Sequence, residues 1–180
     1  IPAYPIIFLK PPSSLITNGE RIILPPQSKL VEHEAELAVV VGKRSRWLTK
    51  ENALAAVFGY TIANDVTARD LQQSDGQWSR AKGFDTFCPV GPWIETVFDP
   101  TDAIITCYVN NMLRQMSSTR EMIFGIQQIM MYASSVMTLE PGDLSLTGTP
   151  AGVGQLQHGD QVSVHIDGIG TLFNRVSAER

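Results

Sequence analysis

The stretch Val31–Gly42 (VEHEAELAVVVG) constrains this chain more than any other. Rich in β-branched residues and closed by glycine, it reads as a single β-strand. Strand alternation puts Glu32, Glu34 and Glu36 on one face and His33, Ala35, Leu37 and Val39 on the other. Beyond Glu36 both faces turn apolar, so the strand runs into a core with its acids standing at the entrance. Two carboxylates about 7 Å apart repel by roughly 2 kcal/mol at an effective dielectric of about 20, and burial adds to that cost. A divalent cation removes the conflict, and so does a strand end left in water. The stretch by itself leaves both readings open.

The rest of the chain narrows the setting. A length of 180 residues suits one domain, 1–180, able to bury a sizeable core. A net charge of -4 argues against nucleic-acid and anionic-membrane partners. No apolar run approaches a membrane span. Cys88 and Cys107 lack metal or redox spacing, which suggests a reducing, cytoplasmic setting.

Hydrophobic and turn patterns predict an α+β, mostly β fold. Strands are expected at Pro5–Leu9, Arg21–Leu24, Tyr60–Asn64, Ala103–Val109 and Leu144–Thr147. A terminal hairpin is expected with Val162, Val164 and Ile166 on its inner face and Asp167–Gly168 at its turn. Helices are expected at Lys50–Phe58, from Thr67 to Gln73, and from Ser118 or Thr119 to Met137, whose Met122, Ile126, Ile129, Met130 and Ala133 form one stripe. Asn110–Asn111 reads as a two-residue hairpin turn, and Trp78–Trp93 as irregular.

Three further groups could carry chemistry. Asp65 ends an apolar strand; with Glu34 and Glu36 it would offer three hard oxygen ligands suited to Mg²⁺ or Mn²⁺, with Ca²⁺ as a further candidate. It could equally cap the helix that follows. Lys82, between Ala81 and Gly83-Phe84, could neutralise a carboxylate or enolate, or could simply snorkel at the surface. The loop Thr147–Gly154 (TGTPAGVG) could hold an anion on its backbone N–H groups, or be a bare turn; it matches no nucleotide-binding fingerprint. His33 faces away from the glutamates and reads as packing, as do His158 and His165. No serine or cysteine shows a nucleophile signature.

Taken in order, four segments together resemble the fumarylacetoacetate hydrolase family. They are His33–Leu37, Asn64–Gln72, Ala81–Asp85 with Cys88–Pro92, and Pro141–Asp143 with Thr147–Gly154. The resemblance implies a mixed β-sandwich roll, usually a homodimer, with Mg²⁺ or Mn²⁺ held by Glu34, Glu36 and Asp65. It also implies substrate contacts from Arg69, Gln72, Lys82 and Thr149, with Lys82, Gln72 and Arg69 as the catalytic set. Acylpyruvase-type members carry a His–Glu pair on an N-terminal lid, ahead of the segment matching Ile6–Pro11. That pair is expected to lie outside these residues, so no general acid/base is assigned.

The activity so implied is metal-dependent chemistry on small 2-oxo acids through a metal-bound enolate. Acylpyruvate-type C–C hydrolysis is the favoured reading. Isomerisation of a hydroxyhepta-dienedioate or hydroxymuconate and decarboxylation of oxaloacetate share the same intermediate. A non-catalytic, metal-stabilised 2-oxo acid binder and a purely structural β-domain are the readings of other classes.

Overall fold

The computed structural model describes residues 2–179. It is a mostly-β α+β fold whose strands form three hydrogen-bonded sheets. The first runs β1 (Leu15–Ile16), β7 (Cys88–Glu95), β5 (Val57–Asn64), β4 (Ala35–Val41), β10 (Leu144–Leu146). The second runs β2 (Arg21–Leu24), β13 (Gly170–Ala178), β12 (Gln161–Ile166), β8 (Ile104–Val109), β9 (Met112–Ser118). A small third sheet joins β11 (Gly154–Gln155), β3 (Val31–His33) and β6 (Thr67–Ala68). Pairing is antiparallel except for β1 on β7 and β2 on β13, which makes both large sheets mixed. The helices are α1 (Arg69–Asp75), α2 (Ser79–Lys82) and α3 (Ile126–Val136).

The two large sheets pack face to face through β4, β5 and β7 against β8, β12 and β13. Leu37, Ile62, Ile166 and Leu172 are almost fully buried between them. Each such side chain contributes about 1.5–3 kcal/mol relative to exposure. Every residue of β4 is buried, because this central strand has β5 on one side, β10 on the other and packing on both faces.

Several sequence expectations hold. Strand β2 forms as expected, and β5, β8 and β10 agree to within a few residues. In the terminal hairpin Val162, Val164 and Ile166 point inward. Asn110 and Asn111 adopt φ of 52° and 62°, as the tight turn between β8 and β9 requires.

Others are corrected. Val31–Gly42 is not one strand: it breaks at Glu34, sending β3 and β4 into different sheets. Pro5–Leu9 is not a buried strand; the segment has no sheet partner among the described residues, and Ile6 and Leu9 are exposed. Lys50–Phe58 is not a helix but turns and one 3₁₀ turn at Leu54–Ala56, because Val57 and Phe58 are recruited into β5. The third helix starts at Ile126, not Ser118: Ser118 caps a 3₁₀ turn instead, and Gly125, in an extended conformation, precedes the helix proper. Trp78–Trp93 is not irregular; it contains α2 and much of β7.

Candidate metal centre

The break at Glu34 builds the centre. The Glu34 N–H donates to Asn64 Oδ1 (2.9 Å), and its carbonyl accepts from Asp65 N–H (2.9 Å), so the gap between β3 and β4 is clamped to the end of β5. Glu36 follows two residues along β4, and Asp65 emerges where β5 stops. The three carboxylates therefore converge: one oxygen from each lies within 4.8 Å of the others, and all three residues are buried. The triad expected from sequence is brought together here.

Among the described residues three cations contact it. Lys82 Nζ, at the end of α2, donates to Glu34 Oε2 (2.8 Å) and Asp65 Oδ2 (2.5 Å). It is 2% exposed, which rules out a snorkelling surface lysine. Its ammonium also sits 4.9 Å from the centroid of the Phe8 ring, a favourable cation–π arrangement. Arg69, opening α1, donates from Nη2 to Glu34 Oε1 (2.5 Å), from Nε to Glu32 Oε2 (2.7 Å) and from Nη1 to Gln72 Oε1 (2.6 Å). Lys10 was not singled out by sequence reasoning. Its Nζ donates to Asp65 Oδ1 (2.6 Å) and to the Lys82 carbonyl (2.6 Å). Its only sequence signal is a lysine directly before Pro11-Pro12, which gives no hint of a partner 55 positions away.

Glu36 differs from its neighbours. Among the described residues no side-chain cation binds it; its Oε2 accepts only the Gly148 N–H, at 2.6 Å. Burial first, and then the nearby charges of Asp65 and Glu34, hold its carboxyl well above the usual carboxylate range. A buried, all-oxygen, acid-rich cluster with one carboxylate lacking a counter-cation fits a hard divalent ion. It does not fit zinc, which prefers nitrogen or sulfur donors. His33 is absent from the cluster: its Nδ1 contacts Gln115 Oε1 (2.9 Å), and burial lowers its pKa, so it stays neutral.

The glycine-rich loop is not a free anion cradle throughout, since Gly148 spends its N–H on Glu36. Thr149 Oγ1 donates to the Ala35 carbonyl (2.9 Å) and accepts from Gln115 Nε2 (2.7 Å). The triad, Arg69, Gln72, Lys82 and Thr149 all line one cleft of about 1000 Å³. Cys88, beside it, is free and buried, and burial pushes its thiol up to about 11, so it is no nucleophile at neutral pH.

Comparison with known proteins places this geometry. The family described as fumarylacetoacetate (FAA) hydrolase, C-terminal, matches residues 1–177. An uncharacterized protein of Methanocaldococcus jannaschii is 54% identical over 179 residues, covering 99% of this chain and 76% of that protein. The oxaloacetate tautomerase Fahd2a, mitochondrial, of Rattus norvegicus is 43% identical over 187 residues, covering 98% of this chain and 60% of that protein. The crystal structure of 5-carboxymethyl-2-hydroxymuconate delta-isomerase from Mycobacterium smegmatis superposes with a TM-score of 0.98 at 48% identity, covering 99% of this chain and 71% of that one. With the match running through both strands and helices that build the acidic cluster, the chain belongs to the fumarylacetoacetate hydrolase family.

Proposed function

We propose that this chain is a divalent-metal-dependent enzyme that interconverts the keto and enol forms of small 2-oxo acids carrying a second carbonyl or carboxyl group. The convergence of Glu34, Glu36 and Asp65 beside Lys82 carries the reading. Mg²⁺ or Mn²⁺ held by these three acids would supply a Lewis acid for the 2-oxo oxygen. The chain's own residues do the rest. Lys82 places a buried positive charge where an oxyanion develops. The Arg69 guanidinium holds Glu34 and Glu32 in place and fixes Gln72 through its carbonyl oxygen. This leaves the Gln72 amide N–H groups, which have no partner among the described residues, to bind a substrate carboxylate. The half-buried rings of Phe8 and Trp78, in edge contact with centroids 5.5 Å apart, give the cleft an apolar wall.

Enolisation is the step common to isomerisation, tautomerisation and C–C hydrolysis. The relatives' printed activities, a tautomerase and an isomerase, favour proton transfer over the hydrolysis expected from sequence. Hydrolysis of an acylpyruvate remains the second reading, supported by the family's own description. We also propose a homodimer, supported by the exposed apolar side chains of Met112, Leu113 and Met116 on the sheet-edge strand β9. The test is to assay acetylpyruvate, oxaloacetate and a hydroxymuconate with Mn²⁺ and after EDTA treatment. Proton exchange or isomerisation that vanishes on chelation supports the proposal; metal-independent turnover, or no turnover of any of the three, refutes it.

A further inference from the structure

Gln115 lies on β9, in the opposite sheet from the acids, and is 1% exposed. All four hydrogen-bonding positions of its amide are used. Oε1 accepts from the Ala35 N–H (3.1 Å) and faces His33 Nδ1 (2.9 Å); Nε2 donates to Thr149 Oγ1 (2.7 Å) and to the Pro150 carbonyl (2.8 Å). Ala35 is the residue between Glu34 and Glu36, and Thr149 stands in the glycine-rich loop. One side chain from the far sheet thus ties the peptide between two acids to the loop that runs beside β4. The loop is pressed onto β9 at the same place. Gly152 adopts φ +101°, and a Cβ there would strike the Arg114 carbonyl and come within 3.3 Å of Gln115 Cγ.

The network also sets the polarity of the Thr149 hydroxyl. Its single proton is given to the Ala35 carbonyl, and one lone pair is taken by Gln115 Nε2. What remains is an acceptor. A substrate carboxylate that reaches the loop therefore finds no donor in this hydroxyl and would be met there by a backbone N–H other than that of Gly148, which is held by Glu36, while an enol or hydroxy group of the substrate finds an acceptor in the hydroxyl.

We propose that Gln115 is a positioning residue for substrate binding, acting through Thr149: it holds the loop in place and makes the Thr149 hydroxyl an acceptor. This rests on the metal-dependent reading above. The test is a double-mutant cycle of Gln115→Glu with Thr149→Val, reading Mn²⁺ affinity and then oxalate affinity of the Mn²⁺-loaded protein by calorimetry. Glutamate keeps the two accepted bonds and loses the two donated ones. Mn²⁺ affinity should stay within threefold, and oxalate should bind at least tenfold more weakly. In the Thr149→Val background, Gln115→Glu should add less than threefold. Equal oxalate affinity in wild type and Gln115→Glu overturns the proposal. So does an undiminished tenfold loss in the Thr149→Val background, which would mean bare charge repulsion. Should Gln115→Glu not fold, Gln115→Met enters the same cycle with the same criteria. Failure of the wild type to bind Mn²⁺ would instead refute the metal reading, a separate outcome.

Discussion

Glu36→Gln should stabilise the protein without metal and weaken it, relatively, with metal. At the 4.8 Å separation limit, each carboxylate pair repels by about 3.5 kcal/mol at an effective dielectric of about 20. Glu36 faces two such neighbours, Asp65 and Glu34, and has no cation of its own among the described residues. Protonation offers an escape, so the cost at pH 7 is capped at the free energy of protonating an ordinary glutamate there, about 3.4 kcal/mol. The glutamine oxygen still accepts the Gly148 N–H. Removing the charge should therefore return about 1–3 kcal/mol, a rise in Tm of roughly 3–10 °C for a chain of this size. With Mn²⁺ at a hundred times its Kd the wild type gains about 2.7 kcal/mol, and the variant should lose most of that gain. The assay is thermal unfolding in EDTA and across a Mn²⁺ titration, and the expected signature is that the two Tm curves cross. A variant less stable than wild type in EDTA, or one with an undiminished Mn²⁺ response, refutes the account of three acids on one ion.

Other outcomes follow from the same geometry. The raised pKa of Glu36 means the native state keeps a proton that the unfolded chain releases above about 4.5. The metal-free stability difference between wild type and Glu36→Gln should accordingly widen as pH rises from about 4.5 through the folded-state pKa, as urea titrations across that interval would show. Lys82→Met leaves Glu34 with Arg69 and Asp65 with Lys10. It should cost about 2–3 kcal/mol without metal, tighten Mn²⁺ binding as a competing cation leaves the carboxylates, and lower turnover at least about a hundredfold; unchanged turnover would remove Lys82 from the chemistry. Gly152→Ala, at a positive φ and against the Arg114 carbonyl, should cost at least about 2 kcal/mol by chemical denaturation and weaken oxalate binding.

Much of this could be read along the chain. Alternating β-branched runs and Asn or Asp-Gly turns mark β2, β5, β8 and the β12–β13 hairpin, because a strand's face and a tight turn are local properties. The acids Glu34, Glu36 and Asp65 stood out because each sits at the edge of an apolar run, where a carboxylate is costly to bury. Spacing alone left a solvated strand end and a helix cap open, and the family resemblance joined the three into one set. Periodicity misled where tertiary pairing overrode it: Val57 and Phe58 left a plausible helix for β5, and Ile6 and Leu9 lie exposed along the cleft instead of in a sheet. What the chain could not announce were contacts between residues far apart, such as Lys10 on Asp65 and Gln115 between Ala35 and Thr149. A lysine before proline and a glutamine on an edge strand are unremarkable until folding removes water from around them. Only then must each buried donor and acceptor find its partner, and those partners are chosen by the packing of two sheets rather than by neighbours in sequence.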